Sequence, residues 1–309
     1  MKHVILGAGG VIANSLTQAL LAQHEEVVLV SRTPEAIVGT ITRAADVTNA
    51  EQVQAACQGA DVIYLVAGLK YSTRVWQETW PVVMNNAIAV AQETGARLVF
   101  FDNVYAYGPV DGPMTEATPY NPTSKKGQVR KEISERLLAE AKAGNIQAVI
   151  LRAADFYGPG TLAISFTGQL LFEPLKKGRR PQWMGDPNQP HTYTYTPDCG
   201  PAIAHMVRYG TNADWNRIWH LPSANPGITA HQMADIARLV MPGRPGIQVM
   251  GRTLIKALGL FMPFMREIPE MMYQYEKPYH FDSTAFTHRF NVEPTPYADG
   301  IKRTAESWL

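Results

Sequence analysis

Cysteine is nearly missing: Cys57 and Cys199 are the only two in 309 residues, and their spacing fits neither a metal site nor a disulfide framework. That argues against a disulfide-stapled secreted scaffold and for a reducing cytoplasm, with both thiols as small buried hydrophobes. An excess of one charge is missing too. Lys plus Arg number 28 against 27 Asp plus Glu, which removes the electrostatic basis for a nucleic-acid or acidic-membrane partner and leaves a small molecule as the expected one. No uninterrupted apolar run of about 18 residues occurs, so no spanning helix is predicted. The nearest stretch, 254–272, is broken by Lys256, Pro263, Arg266, Glu267 and Pro269; its Met and Phe content reads as a helical lid or core segment, with a membrane-surface helix as the alternative. No charged leader precedes the first strand pattern, and no histidine pair stands at ligand spacing on a helix, so neither secretion nor a metal is expected.

What the chain has is rhythm. Short apolar runs at 4–7, 27–31, 41–45, 62–67, 98–102 and 148–151 alternate with helical stretches at 11–23, 51–57, 82–94 and 125–142. This is the sequence form of parallel strands joined by crossover helices. The predicted fold is α/β, a doubly wound parallel sheet over residues 1–152. A smaller substrate-binding lobe follows over 153–309, where Pro, Gly, Trp, Tyr and Met accumulate, turns are frequent, and later segments return to the sheet. Within it, 218–221 reads as a further strand. Residues 229–240 read as a helix, because Met233, Ile236, Ala237 and Val240 recur three and four apart.

The first predicted strand runs straight into GAGGVIA at 7–13. Gly7 permits the tight turn, Gly9 or Gly10 lets backbone approach a diphosphate, and small Ala13 lets the helix pack close to the strand. Val11 and Ile12 open that helix, whose free N–H groups and dipole favour an anion. This combination is the signature of a Rossmann dinucleotide site. About 20 residues further on, the second strand ends in Ser31-Arg32-Thr33 without the acid that would hold ribose hydroxyls. Arg32 is read as a charge-assisted partner of a 2′-phosphate, a contact of about 1.5–3 kcal/mol, with Ser31 and Thr33 as further donors. The competing reading is a solvated loop cation. NADP is the expected cofactor, with NAD second.

Further motifs lie in order: AADVTN at 44–49, DVIYLVAGL at 61–69, NVYAYGP at 103–109, LRAADFYGPG at 151–160 and YTYTPDCG at 193–200. Together with the glycine turn they make the chain resemble the extended short-chain dehydrogenase/reductases, also called NAD-dependent epimerase/dehydratases, over nearly its full length. The resemblance implies that Asp46 and Val47 border the adenine and that Ala67 and Gly68 line the cofactor. It also implies that Tyr157 and the residues to Gly160 approach the nicotinamide, and that a homodimer forms through 82–94 and 125–142. Such proteins usually carry a Ser near the end of the fifth strand and a Tyr-x-x-x-Lys set on the next helix. Here the matching positions hold Asn103 for Ser, Lys126 for Tyr and Arg130 for Lys, so the chain resembles an atypical branch.

Reducing a carbonyl needs a hydride donor, a group that protonates the oxygen, and fixed orientation. Asn103 offers an amide donor to a substrate oxygen, and Arg130 a permanent cation for the nicotinamide ribose. Lys126 is a candidate proton donor and cofactor contact if its surroundings make the ammonium acidic. Lys126 and Arg130 are four apart and share a helix face, where unpartnered like charges repel. They serve either a bound anion or a solvated, paired face such as Lys131 with Glu135 and Arg136 with Glu140. Tyr105 is the most attractive phenol, two residues beyond Asn103; Tyr107, Tyr120, Tyr157 and Tyr195 also fall near predicted strand ends, as donors or as walls. Arg152 with Asp155 forms a possible pair at the pocket floor, and His191 and Asp198 are placed at its mouth, with Asp198 alternatively capping a helix. The leading reading is an NADP-preferring oxidoreductase acting on a carbonyl or alcohol of a small, partly apolar molecule, since the lobe has few basic side chains beyond Arg179, Arg180 and Arg252. A nucleotide-sugar epimerase or dehydratase and a non-catalytic NADP-sensing protein are the alternatives.

Overall fold

The computed structural model describes residues 1–258, 260–261 and 263–309. Seven strands, β1 (Lys2–Leu6), β2 (Glu26–Ser31), β3 (Thr40–Ala44), β4 (Val62–Leu65), β5 (Arg97–Asp102), β6 (Ala148–Arg152) and β7 (Arg217–His220), pair in parallel in the order β7-β6-β5-β4-β1-β2-β3. Val4 of β1 lies between Val28 of β2 and Ile63 of β4. The central strands are buried on both faces, which is why their sequences are nearly unbroken apolar runs.

Side chains alternate across the sheet and divide the core in two. On one face Val4, Leu6, Ile63 and Phe100 pack under α3 (Thr73–Thr94) and α4 (Lys125–Lys142), against Trp80, Met84, Ile133 and Leu137. On the other, Ile5, Val99 and Leu151 meet Leu16 and Leu20 of α1 (Val11–Ala22) and Ile203 and Met206 of α5 (Thr196–Tyr209). The α1–α5 contact is close enough that a Cβ on Gly200 would lie 2.2 Å from the Ser15 backbone. The short α2 (Ala50–Cys57) is capped by Asn49, and α6 (Ala230–Arg238) carries a capping box between Thr229 and Gln232.

Two expectations need correction. The helix predicted from 82 starts nine residues earlier, with Pro81 inside it; proline removes one backbone hydrogen bond, but burial of Trp76 and Trp80 along the same face carries the helix through. Asp198 does not cap α5. Tyr195 occupies that position with Pro197 in the first turn, and the Asp198 carboxylate accepts from Thr295 N and Oγ1 at 2.7 and 2.8 Å.

The lobe has its own core, in which Tyr157, Phe172, Trp183, Tyr193, Met233 and Tyr275 come together. Of the apolar stretch 254–272, Gly259 and Met262 lie outside the described residues. The remainder forms short helical turns at Arg252–Leu258, Pro263–Arg266 and Pro269–Tyr275. Among the described residues no helix is long and apolar enough to cross a membrane.

Candidate active site

A cavity of about 950 Å³ lies across the carboxyl ends of β1, β2, β4, β5 and β6, where the strand order reverses and ligands of such sheets bind. Its first end is the glycine turn. Gly7 N and Ala8 N donate to Val30 O at 2.9 and 3.0 Å. Gly7 sits at φ +102°, with the Ala67 Cα only 2.4 Å from where a Cβ would be, so no other residue fits. Gly10 is the N-cap of α1 and supplies no side-chain acceptor, which leaves the first-turn N–H groups free for an anion. Gly7, Gly10, Val11, Ile12, Ser31, Arg32, Asp46, Val47, Ala67 and Gly68 all line the cavity; Gly9, at φ +95°, shapes the turn without reaching it, and Thr33 stays outside. Arg32 takes no hydrogen bond or salt bridge among the described residues. Two donors from Thr48 lower the Asp46 carboxyl below its usual range, helped by the Arg32 charge.

The second end is built where β5 stops. Asn103 Oδ1 accepts from Tyr105 N at 3.0 Å, a local turn that takes the chain out of the strand. Asn103 and Tyr105 nevertheless both line the cavity. So does Arg130, whose buried guanidinium lies 4.0 Å from the Trp80 ring and 4.6 Å from the Trp76 ring, with Nη1 3.3 Å from Asp102 Oδ1. Burial pulls the Arg130 guanidinium below its usual range and Asp102 opposes this; Nε and Nη1 make no hydrogen bond among the described residues.

Several predicted site residues stand elsewhere. Arg152 does not pair with Asp155. Its guanidinium lies between the Tyr107 and Tyr120 rings at 4.5 and 4.6 Å and reaches Asp102 Oδ2 at 3.2 Å. Burial works against that charge, and Tyr107 and Asp102 more than offset it. Lys126 is fully buried and lines no part of the cavity. Its ammonium donates to the Glu267 carboxylate, to Glu270 Oε1 at 2.7 Å and to Thr73 Oγ1 at 2.9 Å. A buried ammonium needs such counter-charges, and α4 turns this side chain to them. Tyr157 is likewise sealed in the lobe, against the Tyr195 and Tyr297 rings at 5.2 and 5.9 Å. His191 and Asp198 are off the cavity wall, as are Tyr107, Tyr120 and Tyr195.

Residues that the sequence did not single out complete the wall: Tyr71, Trp76, Phe166, Tyr193 and Tyr275. The pair Trp76 and Trp80, four apart on one helix face, was the available signal for the Arg130 platform. Tyr275 reaches the wall through tertiary packing and had none. Burial raises the Tyr71, Tyr105 and Tyr275 phenols well above their usual range, so they remain protonated donors.

The model of the NAD dependent epimerase/dehydratase family matches residues 3–221. The chain belongs to that family. Among solved structures, the UDP-glucuronic acid 4-epimerase from Bacillus cereus in complex with NAD is 16% identical, with TM-score 0.80 and coverage of 100% of this chain and 98% of that one. The UDP-glucose 4-epimerase from Thermotoga maritima gives the same four figures. A dTDP-glucose 4,6-dehydratase from Streptomyces venezuelae with NAD bound is 18% identical, with TM-score 0.80 over 100% and 97%. At these identities they share the fold with this chain. No curated protein matches it.

Proposed function

We propose that the chain is an NADP-preferring oxidoreductase that interconverts a carbonyl and an alcohol on a small, partly apolar molecule. The observation that carries this is one continuous cavity whose first end holds the glycine turn, Ser31 and Arg32 and whose second end is lined by Tyr71, Tyr105, Phe166, Tyr193 and Tyr275. The residues fit a dinucleotide: the turn and the uncapped start of α1 suit the diphosphate, Arg32 and Ser31 suit a 2′-phosphate, and the orphan donors of buried Arg130 suit ribose hydroxyls. Bound there, a nicotinamide supplies or accepts the hydride.

A second reading, epimerisation or dehydration of a nucleotide sugar, is favoured by the activities named for the similar structures. The cavity argues for a smaller substrate. Its wall carries Arg32, Lys70 and Arg130 as cations, while Arg179 and Arg180 are exposed elsewhere and Arg252 is engaged by Glu276 at 2.6 and 2.8 Å. Calorimetry with NADPH, NADH and UDP-glucose decides between them. Tight NADPH, weaker NADH and no heat from UDP-glucose support the first reading, and UDP-glucose binding with NADH preferred would replace it by the second.

A further inference from the structure

Asp46, Asp102 and Asp155 are the carboxylates on the cavity wall, and the first two are answered. Asp46 Oδ1 takes the Thr48 N–H and hydroxyl at 2.9 and 2.7 Å, and Asp102 stands 3.3 and 3.2 Å from the Arg130 and Arg152 guanidiniums. Asp155 has a single hydrogen bond among the described residues, from the Tyr275 hydroxyl to Oδ2 at 2.5 Å. His191 Nε2 lies 3.3 Å from the same oxygen and makes no hydrogen bond among those residues. The other cations of the wall are Lys70, which is exposed and joined to Asp155 by no ion pair among those residues, Arg32 beside the glycine turn, and Arg130, which faces Asp102.

The surroundings of Asp155 are aromatic. Tyr71, Trp76, Tyr105, Phe166, Tyr193 and Tyr275 share its wall. Phe166 stands 6.2 Å from Tyr71 and 5.9 Å from Tyr275, and Trp76 stands 5.7 Å from Tyr71, at interplanar angles of 88°, 81° and 78°. Rings set at right angles offer both faces and edges to the space they border. Burial keeps the phenols of Tyr71, Tyr105, Tyr193 and Tyr275 in their neutral form, so they cannot supply the missing positive charge. A half-buried carboxylate among rings is costly to leave without a counter-charge. An ammonium brought by a ligand meets two attractions there, the carboxylate charge and the ring quadrupoles. A neutral group would leave the anion desolvated and unpaired, and the diphosphate of a nucleotide sugar would be repelled.

We propose that this end of the cavity receives an alkylammonium group, so that the molecule whose carbonyl or alcohol reacts carries a cationic amine beside its apolar part. The reacting group rests on the oxidoreductase reading above, while the ammonium site rests on Asp155 and the rings around it. Asp155 and Tyr275 thereby set specificity: the carboxylate takes the charge, and the Tyr275 hydroxyl holds Oδ2 in place.

The test uses the full-length protein loaded with NADPH and two alcohols of one shape, choline and its uncharged isostere neohexyl alcohol, in which a quaternary carbon replaces the nitrogen. Calorimetry should show choline binding at least about tenfold more tightly than the isostere. Asp155→Asn, whose amide oxygen still accepts from Tyr275, should bring the two within about twofold at unchanged NADPH affinity. Equal binding of the pair by the unmutated protein, or no heat from either, overturns the proposal. So does an Asp155→Asn protein that keeps the choline preference and loses only affinity for oxidised NADP, which would assign the carboxylate to the nicotinamide ring. Turnover probes the underlying reading separately: betaine aldehyde should be reduced with kcat/KM at least about tenfold above that of tert-butylacetaldehyde. A choline preference with neither aldehyde reduced would sink the oxidoreductase reading and leave the ammonium site standing. Absence of NADPH binding heat would likewise sink that reading alone, and the alcohol pair would then decide the site on the free protein.

Discussion

Acidification from pH 7 to 5 should destabilise this fold through two histidines that it buries in neutral form. His220 is held on both ring nitrogens: Nδ1 donates to Asp282 O at 2.7 Å and Nε2 accepts from the Tyr107 hydroxyl at 2.6 Å, while the ring stacks on Phe281 at 4.1 Å. Burial pulls its pKa from 6.5 down to about 3. His3, within β1, is pulled by burial to about 4, with Glu25 opposing. In the unfolded chain both take up a proton near 6.5, whereas the folded protein refuses it until about 3 to 4. The unfolded state therefore binds more protons between those limits, and stability is full above pH 6.5 and falls as pH drops through the window. At pH 5 the unfolded histidine lies about 1.5 units below its midpoint, which at about 1.36 kcal/mol per unit gives about 2 kcal/mol for each residue. Together they remove about 4 kcal/mol, a large share of a typical total of about 5–15 kcal/mol. Urea midpoints followed by tryptophan fluorescence at the two pH values measure this. His220→Gln and His3→Gln should each shrink the pH gap by about 2 kcal/mol. An undiminished gap in the double variant refutes the reasoning.

Arg32→Asp should raise the NADPH Kd about 10- to 100-fold and reverse the preference towards NADH, as read by calorimetry; retained NADPH preference would make Arg32 a bystander. Gly7→Ala places a methyl against the Ala67 backbone at a left-handed φ, so dinucleotide binding should vanish and thermal unfolding should report a loss of roughly 2–4 kcal/mol. Lys126→Met leaves Glu267 and Glu270 facing each other without the ammonium. We expect roughly 2–3 kcal/mol of lost stability in urea, less than for fully buried pairs because both carboxylates reach solvent, with dinucleotide affinity unmoved. A weakened dinucleotide Kd there would return Lys126 to the cofactor.

The sheet was legible because its physics is local. A central strand buried on both faces must be apolar throughout, and a crossover helix must show a 3.6-residue stripe, so β1, β2, β4, β5 and β6, with α1, α2 and α4, stand within a few residues of their predicted positions; the edge strands β3 and β7, more exposed, also fall within one residue of theirs. The glycine turn was legible for the same reason, since Gly7 answers to a backbone angle and one neighbouring strand. The second end of the cavity was not. Lys126 shares a helix face with Arg130, yet one points to Glu267 and the other to Trp80 and Asp102, a choice made by segments more than a hundred positions away in sequence for Lys126. Arg152 went to Asp102 because the strand register sets them side by side, and Asp155 was left for a tyrosine and a histidine that no spacing could announce.

The two ends of the cavity are completed at different times as the chain emerges during synthesis. The residues from Gly7 to Arg130 that are proposed to hold the dinucleotide are present before Asp155 is made, and the opposite wall waits for Tyr275. Substitutions in the late segment can therefore remodel what is received there without disturbing the earlier grip, which gives this architecture a way to change customers while keeping its coenzyme.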